Sequence, residues 1–316
     1  RNIALRGGIW DGNNAGNPRG ELFDSQSPTG TMLNFRNVKG LTLQDMALRD
    51  AECYYIRLCE VDGFQVERLA FESVNIRPNQ DGVHLAGFCR NGVIRHLTGT
   101  PGSPNDDFVA LNADDCLTRL QNLDVVCGPI ENIVIHDLYS KECHSFVRLL
   151  SVDSMIANIH ISKLRGGCKA FAVNMDAARY CRTPLVDPDS PRYSQGVGDV
   201  RNVTVEDAFV YPTHSNKSLI CLESNMENFV VRNFRADTAR ACMPPSPALN
   251  LSNVRASAVE LSGLTEAQAK GLPAESYENA LGETMWRLEK STEVGEELWV
   301  PFGPIGELKV SKAGPG

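Results

Sequence analysis

Short segments in which apolar and polar residues alternate recur along most of the chain. In each, a small polar residue or glycine precedes an apolar-x-apolar triplet, which is the pattern of a β-strand with one buried face. Most successive segments start roughly 25 residues apart, and two longer intervals coincide with turn-rich insertions at about 112 to 130 and 176 to 199. The segments are GLTL at 40, GFQV at 63, GVIR at 92, NIVI at 132, NIHI at 158, NVTV at 202, NFVV at 228 and NVRA at 253.

A second series of strand-like segments runs out of phase with the first. Stacked coils with two short strands each pair every strand in parallel with its counterpart about 4.8 Å away, and Asn and Gly suit the corners. We therefore predict an all-β chain folded as a right-handed parallel β-helix, a solenoid. A leucine-rich-repeat horseshoe fits less well, because the L-x-x-L-x-L-x-x-N pattern is absent from the sequence. The second series is YIRL from 55, GVHL from 82, FVAL from 108, FVRL from 146, FAVN from 171, LICL from 219 and ALNL from 248.

The pattern changes after about residue 263. The stretch TEAQAKGLPAESYENALGETMWRLEK is rich in the helix-forming residues Ala, Glu and Leu, and Gly271 and Pro273 interrupt it. We predict a C-terminal capping segment that contains helix and packs on the same domain. The predicted organisation is a β-helix domain over residues 1–262 and a C-terminal cap over residues 263–316.

Composition and charge narrow the range of partners. The 316 residues are 42% hydrophobic, which is enough for a large core. The 31 Lys and Arg against 39 Asp and Glu give a net charge of −8, which argues against a polyanion such as DNA as the main partner. No apolar run approaches the roughly 18 residues that a membrane span needs. We expect no nucleic-acid and no membrane partner, and the oligomeric state stays open.

Cysteine usage and the start of the chain bear on cofactors and localisation. None of the ten cysteines has C-x-x-C spacing and several lie in apolar runs, so we expect buried free thiols. No Cys/His cluster has zinc-ligand spacing, and we predict no metal and no cofactor. The chain begins at Arg1 inside a strand-like run with no signal-like stretch, from which we expect that a preceding segment was removed. Localisation stays open between the cytoplasm and secretion after processing.

Aspartates precede two strands of the second series, one coil apart. Asp81 stands two residues before Val83, and Asp107 two residues before Val109, with Asp106 beside it. Neighbouring coils place these carboxylates about one strand spacing apart, and like charges that close raise at least one pKa. A carboxyl that stays protonated suits acid/base catalysis. The alternative is that these aspartates are only turn residues at strand entrances, a position that Asn and Asp favour.

Outward-pointing residues of the second series form the floor of a predicted groove. Alternation directs the middle residue of each strand away from the core, and stacking aligns these residues. We predict that Arg57, His84 and Arg148 bind substrate there, with Asn112 and Asn174 as further binding residues. The predicted row is Arg57, His84, Ala110, Arg148, Ala172, Cys221 and Asn250.

The motifs PNQDGVHL and NDDFVALN, with GGIWDGN upstream, resemble the polygalacturonase family, glycoside hydrolase family 28 of the pectin-lyase-like superfamily. The likeness spans roughly residues 2 to 255 as a repeat pattern, and its specific part is the two aspartate motifs. It implies a right-handed parallel β-helix that hydrolyses a glycosidic bond with inversion. It also implies that Asp106 is the general acid and that Asp81 and Asp107 activate water.

One departure from the family pattern affects the groove. The family's third motif is G-H-G before an apolar strand, whereas CHSFVRLL has Ser145 in the histidine position and His144 one residue earlier. His144 therefore either reaches the groove as a substrate-binding residue or is a corner histidine bonded to the backbone.

A second departure affects the substrate. The family's R-I-K motif, which binds substrate carboxylate, falls on Ala172-Val173-Asn174, where both cations are missing. A cationic clamp is the obvious way to hold a uronate, with Arg148 or Arg57 as replacements. We therefore expect a substrate other than plain polygalacturonate.

These observations predict a glycoside hydrolase that acts on a poly- or oligosaccharide. Two classes remain as alternatives: a non-catalytic carbohydrate-binding β-helix of the adhesin or tailspike type, and a polysaccharide lyase or epimerase on the same fold. A lyase needs a base and commonly Ca²⁺, and Asp114 and Asp115 in NADD are candidates for a cation site, although adjacent acids in a loop are usually only solvated. The sugar, its linkage and endo or exo action stay open.

Overall fold

Strands form the regular structure of the described part of the chain. The computed structural model describes residues 2–18, 30–117, 122–177, 191, 197–214, 219–237 and 240, and beyond these the backbone of six further strand segments and of residues 249–251. Within these ranges, no helix has the length and apolar character needed to cross a membrane. The strands are β1 (Ile3–Arg6), β2 (Ile9–Asp11), β3 (Leu33–Arg49), β4 (Ile56–Glu72), β5 (Val83–Leu85), β6 (Cys89–Gly99), β7 (Asp107–Asn112), β8 (Ile130–Leu150), β9 (Ile156–Met175), β10 (Val200–Pro212), β11 (Ile220–Leu222), β12 (Met226–Ala236), β13 (Leu249–Leu251), β14 (Ser257–Ser262), β15 (Ser276–Glu278), β16 (Thr284–Trp286), β17 (Leu288–Ser291), β18 (Gly295–Leu298) and β19 (Ile305–Lys312).

Parallel pairing dominates the sheet. Strand β3 pairs in parallel with β4, and β4 pairs with both β5 and β6. Strand β8 pairs with β6 and β7 on one side and β9 on the other, and β9 then pairs with β10 and β11. The long strands therefore contribute to two rows of parallel neighbours, as two strand series out of phase require. The described fold is all-β with a mainly parallel sheet.

Asparagines mark one bend in successive strands. Asn132, Asn158, Asn202 and Asn228 each have a positive φ, which Asn tolerates better than most residues. Each of these side chains donates from Nδ2 to the Oδ1 of the asparagine on the preceding strand, at 3.0 to 3.1 Å, starting at Asn91. The predicted use of Asn at bends is confirmed here. The bend before Val93 is at Asn91 rather than Gly92, because Gly92 pairs with Phe64 and its missing side chain leaves room for that ring.

Inward-facing aliphatic residues stack in continuous rows. The alternation that predicts strands gives each strand one apolar face, and the parallel register places like residues over one another. One row follows the first series and a second follows the second series, and all of their members are fully buried. The first row is Leu43, Val66, Ile94, Ile135, Ile161, Val205 and Val231; the second is Ile56, Val83, Val109, Val147, Val173 and Ile220.

The predicted helix in the C-terminal segment is wrong for its described residues. Strands β15, β16 and β17 occupy parts of the stretch expected to be helical, while residues 263–275 lie outside the described residues. Glycine and proline divide the stretch into pieces shorter than an isolated helix needs, so local propensity is overridden by pairing. Strand β19 pairs antiparallel with both β12 and β14. The predicted boundary at residue 262 stays a prediction.

The cysteines agree with the prediction of free thiols where they are described. Eight of them carry no disulfide, and of these only Cys127 is not fully buried. Burial raises the pKa of Cys89 to about 12 and that of Cys127 to about 11, so the thiols stay protonated and inert at neutral pH. Cys181 and Cys242 lie outside the described residues.

Candidate active site

Asp81 and Asp107 enter neighbouring strands at the same edge of the sheet. The amide of Gly82, next to Asp81, donates to the carbonyl of Asp107 at 3.0 Å, and the amide of Asp106 donates to the carbonyl of Gln80 at 3.3 Å. Asp107 in turn pairs with Ser145 on β8. Both Asp81 and Asp107 are 3% exposed. The two aspartate motifs therefore lie side by side on adjacent strands, as their spacing predicted.

Asp106, Asp107 and His144 form one side-chain cluster. An oxygen of each carboxyl group and a ring nitrogen of His144 all lie within 4.8 Å of one another. His144 Nδ1 is 3.5 Å from Asp106 Oδ1, and the two side chains are 40% and 30% exposed. The hydroxyl of Ser145 lies 3.1 Å from the same Nδ1. The His144 side chain therefore lies beside the Asp106 carboxylate, and substrate binding by His144 stays a prediction.

Burial dominates the protonation of the two buried aspartates. It raises the pKa of Asp81 to about 6, and the charge of Asp106 adds to the effect while the hydrogen bond from His84 opposes it. Burial and the Asp106 charge raise the pKa of Asp107 well above its ordinary value, although the Arg148 cation, whose Nη1 is 3.8 Å from Asp107 Oδ2, acts in the opposite direction. At neutral pH Asp81 is therefore mostly ionised, while burial favours the protonated form of Asp107.

The predicted groove floor is a continuous row, but much of it is covered. Register pairs run from Arg57 to His84, Ala110, Arg148, Asn174 and Cys221 in turn. Asn174 therefore occupies the place assigned to Ala172, which lies in the buried core. The error arises because β9 continues through this stretch without a break, so the start of the short segment FAVN gives no register. Asn174 itself is almost fully buried.

Arg57 and Asn112 lie away from the carboxylate cluster. Arg57 is 2% exposed; its Nε donates to Asn34 Oδ1 at 3.1 Å and its Nη2 to the carbonyl of Leu123 at 3.3 Å. Asn112 ends β7, whose first residue is Asp107, so about 17 Å of extended strand separates the two. Its buried Oδ1 has no hydrogen-bond partner among the described residues. Substrate binding by either residue stays a prediction that these positions do not favour.

Arg148 is near the cluster but is already held by a carboxylate. Its Nε and Nη2 donate to Asp176 Oδ1 and Oδ2 at 3.0 and 2.9 Å, a two-point ion pair that is mostly buried. Such planar pairing occupies the edge of the guanidinium group that a substrate carboxylate would use. Asp176 was not predicted from the sequence, although it continues the alternation two residues after Asn174.

His84 is inside the protein rather than on its surface. It is 1% exposed, with Nδ1 2.6 Å from Asp81 Oδ2 and Nε2 3.1 Å from Asp115 Oδ2. Direct contact between His84 and substrate stays a prediction that this burial does not favour. Asp115 was expected to be solvated or to bind a cation, but it is buried against His84. The sequence of a polar loop does not indicate which of its acidic side chains is buried.

A lysine that the sequence did not indicate lies beside the cluster. Lys169 Nζ donates to Asn105 Oδ1 at 3.2 Å and lies 3.5 Å from Glu142 Oε1. Asn105 directly precedes Asp106 in the sequence, so this hydrogen bond joins Lys169 to the segment that carries Asp106. In β9, Lys169 is the partly exposed residue between the buried Cys168 and Ala170, and a β-bulge in the pairing of β8 with β9 falls in this region.

One trio of side chains has the spacing of metal ligands within the described residues: Asp106, Asp107 and His144. Two carboxylates and an imidazole are an acceptable donor set for a divalent cation. The same three groups are also those that a hydrolase needs to share a proton and hold a water molecule. Nothing else in the described part of the chain adds a fourth ligand to them.

Comparison with known proteins gives a distant relative. A polygalacturonase from Persea americana is 25% identical over 123 residues, which is 39% of this chain and 25% of that protein. The aligned part thus spans about a quarter of the relative's length. No protein-family model matches the chain, and no solved structure matches it. The similarity supports a distant relationship to polygalacturonases.

Proposed function

We propose that this chain is a glycoside hydrolase that cleaves a glycosidic bond of a poly- or oligosaccharide with inversion. The observation that carries the proposal is the cluster of Asp106 and Asp107 with His144, one strand from Asp81, in which burial separates the protonation states of the carboxyl groups. The distant similarity to a polygalacturonase supports the same class of reaction.

The proposed framework for this site is a right-handed parallel β-helix. Parallel pairing of strands that lie one sequence period apart supports it, as does the row of asparagines at successive bends. In such a fold the aspartates recur at one edge because each coil returns the chain to the same place.

In the proposed reaction, the proton for the leaving group comes from the Asp106–Asp107 pair, in which burial raises the pKa of Asp107 well above its ordinary value. Asp106, the more exposed member, donates this proton to the glycosidic oxygen as the C–O bond to the anomeric carbon breaks. A water molecule held by Asp81 and Asp107 attacks that carbon from the opposite face and gives its proton to the Asp81 carboxylate. The acid loses one proton and the base gains one, so the net charge of the site does not change. Attack from the opposite face inverts the configuration of the anomeric carbon.

The proposed substrate is a glycan other than plain polygalacturonate. Two residues aligned with the family's cationic pair are Ala172 and Asn174, and both are buried. Arg148 is paired with Asp176, and Arg57 is bonded inside the protein. Lys169, whose side chain is 24% exposed, itself contacts Glu142. This distribution supports a substrate that does not depend on a strong carboxylate clamp.

Digestion of a panel of polysaccharides, read by mass spectrometry, tests the proposal. We expect hydrolysis products of at least one glycan, with the newly formed reducing end of inverted anomeric configuration by proton NMR. Asp81→Asn should abolish these products without loss of fold. Products with an unsaturated uronate would instead indicate a lyase, and retention of a glycan without any cleavage would indicate a binding protein.

A further inference from the structure

Residues 113–117 and 122–128, here together called the covering segment, contact the strand that carries His84 and the residues that follow it. The segment is closed at its base, where the amide of Gly128 donates to the carbonyl of Ala113 at 2.9 Å. It rests on Gly87, whose amide donates to the carbonyl of Val126 at 3.0 Å, and a side chain at residue 87 would meet the backbone there. The covering segment thus closes the His84 side of the sheet.

Asp115 is the residue of this segment that reaches the candidate site. Its Oδ2 lies 3.1 Å from His84 Nε2, and its Oδ1 accepts a hydrogen bond from the amide of Cys116 at 2.9 Å, which fixes the carboxylate plane. On the other side of the ring, His84 Nδ1 lies 2.6 Å from Asp81 Oδ2. Asp115, His84 and Asp81 are buried and form a continuous hydrogen-bonded network that runs from the covering segment to Asp81, the proposed base.

The imidazole ring of His84 has little freedom to move. Tyr54 stacks on it with ring centroids 4.1 Å apart and planes 20° from parallel. The Tyr54 hydroxyl donates to Asn122 Oδ1 at 3.0 Å, and Asn122 Nδ2 donates to the carbonyl of Cys116 at 3.1 Å, so the covering segment also holds the stacking ring. The ring is clamped on its face and at both nitrogens.

Both ring nitrogens of His84 face carboxylates, and an ionised carboxylate only accepts hydrogen bonds. Each nitrogen must therefore carry a hydrogen, which makes the ring an imidazolium between two anions. Burial by itself disfavours that charge, but the hydrogen bonds to Asp115 and Asp81 outweigh it and raise the pKa of His84 to about 9. Asp106 and Arg148 are the other charged groups that act on this hydrogen-bonded network in the described part of the structure. The charge of Asp106 raises the pKa of Asp81, and that of Arg148 lowers it.

We propose that Asp115 and His84 are positioning residues for Asp81: Asp115 keeps His84 doubly protonated, and His84 holds the Asp81 carboxylate ionised and oriented so that it accepts a proton from water. This inference rests on the proposed hydrolase function. It assigns a role in the site to the covering segment, whose described residues add no fourth ligand atom to the Asp106, Asp107 and His144 cluster.

A simple structural ion pair is the competing explanation, and pH dependence separates the two. Removal of the Asp115 charge lowers the pKa of His84, and loss of the imidazolium raises the pKa of Asp81. The acidic limb of the pH profile of kcat/KM reports the base in the free enzyme, so Asp115→Asn should move it upward by about one pH unit. Asp115→Glu, which restores the charge, should return the limb toward that of the parent. A purely structural pair would lower the yield or the Tm of Asp115→Asn and leave the limb where it was.

The adjacent Asp114 supplies a matched control. Its carboxylate accepts hydrogen bonds from the amides of Val152, Asp153 and Ser154 at 2.6 to 2.7 Å, which makes it a structural cap with no contact to His84. Asp114→Asn should lower the Tm and leave the acidic limb unchanged. A limb that moves equally in both variants would overturn the proposal, because the effect would then follow from general loosening of the covering segment.

A measurement that does not require activity makes the outcomes distinguishable. In the unmodified protein, ¹⁵N NMR of the histidine rings should show His84 doubly protonated at pH 7.5, and in Asp115→Asn the signals should move toward the neutral ring. A neutral His84 in the parent would overturn the inference. If the parent cleaves glycans but Asp115→Asn has the parental pH profile, the inference fails alone; if the parent cleaves none, the proposed hydrolase function fails and the inference falls with it.

Discussion

Arg148 and Asp176 form a two-point ion pair beside the carboxylate cluster, with the guanidinium Nε and Nη2 at 3.0 and 2.9 Å from the two carboxylate oxygens. The side chains are only 15% and 12% exposed. Loss of one partner from such an enclosed ion pair destabilises the folded state, because it leaves the charge of the other partner buried and uncompensated by the ion pair. Arg148 is therefore held in place for Asp107 rather than offered to a ligand.

Arg148→Ala should lower the free energy of unfolding by about 3 kcal/mol, since it removes a two-point ion pair from a mostly buried position. Urea unfolding at pH 7 measures the change. The matched control is Arg90→Ala, which removes an exposed ion pair with Asp62 at 2.9 Å and should change the free energy of unfolding little, because solvent screens such a pair. An equal loss of free energy of unfolding in the two variants would show that burial adds nothing to the stability that the Arg148–Asp176 pair provides.

Substitution of the proposed catalytic aspartates tests their roles one at a time. Asp81→Asn, Asp106→Asn and Asp107→Asn should each lower turnover at least about a hundredfold, because each removes a proton-transfer or water-orienting group. Asn tolerates the same backbone geometry at these turns, so circular dichroism and Tm should stay close to the parent. Asp45→Asn, on an exposed aspartate paired with Arg68, is the control and should keep full activity. Near-parental turnover in any two of the three variants would refute the assignment.

The pKa of His84 gives the stability of the protein a pH dependence. The folded-state value of about 9 lies above the ordinary value of about 6.5, so the folded state binds a proton more tightly than the unfolded chain. The stabilisation is therefore complete below about pH 6.5 and is lost as the pH rises through about 9, by on the order of 3 kcal/mol. Urea unfolding between pH 6.5 and 9 should show this decline. It should be absent in His84→Gln, and a parallel decline in both proteins would assign the effect to other groups.

Contacts that follow from strand pairing could be predicted from the sequence, whereas contacts made by irregular segments could not. Adjacency of Asp81 and Asp107 followed from sequence spacing, because parallel strands bring residues one period apart to the same edge. Coverage of His84 by Asp115 did not, since residues 113–128 have no strand or helix periodicity and their contacts depend on tertiary packing. The predicted place of Ala172 was wrong by two residues along β9, because this strand passes through the segment without a marked beginning. Periodicity thus locates residues on a sheet, while irregular segments determine which of them face solvent.

Polygalacturonate should be cleaved more slowly than a neutral galactan at the same pH, with rhamnogalacturonan, in which only part of the sugars are uronates, between the two. The physical reason is the state of the cations near the carboxylates: Arg148 is paired with Asp176, and Arg57 is fully buried. A charge-assisted hydrogen bond to a uronate is worth on the order of 1.5 to 3 kcal/mol, and neither arginine is free to provide it. Initial rates on the three polymers at fixed pH and ionic strength measure the difference.

Lys169 is the cation through which any remaining preference for acidic sugars should act. Its ammonium group lies 3.2 Å from Asn105 Oδ1, next to Asp106, and its contact with Glu142 at 3.5 Å leaves it partly exposed. Lys169→Met should therefore raise the KM for a uronate-containing glycan about tenfold and leave the KM for a neutral glycan unchanged, since it removes one charge-assisted hydrogen bond. Lys141→Met, on an exposed lysine, is the control and should alter neither value. Fast cleavage of polygalacturonate that is insensitive to both Lys169→Met and Arg148→Ala would refute this account, because the carboxylates would then be bound by groups other than these two cations.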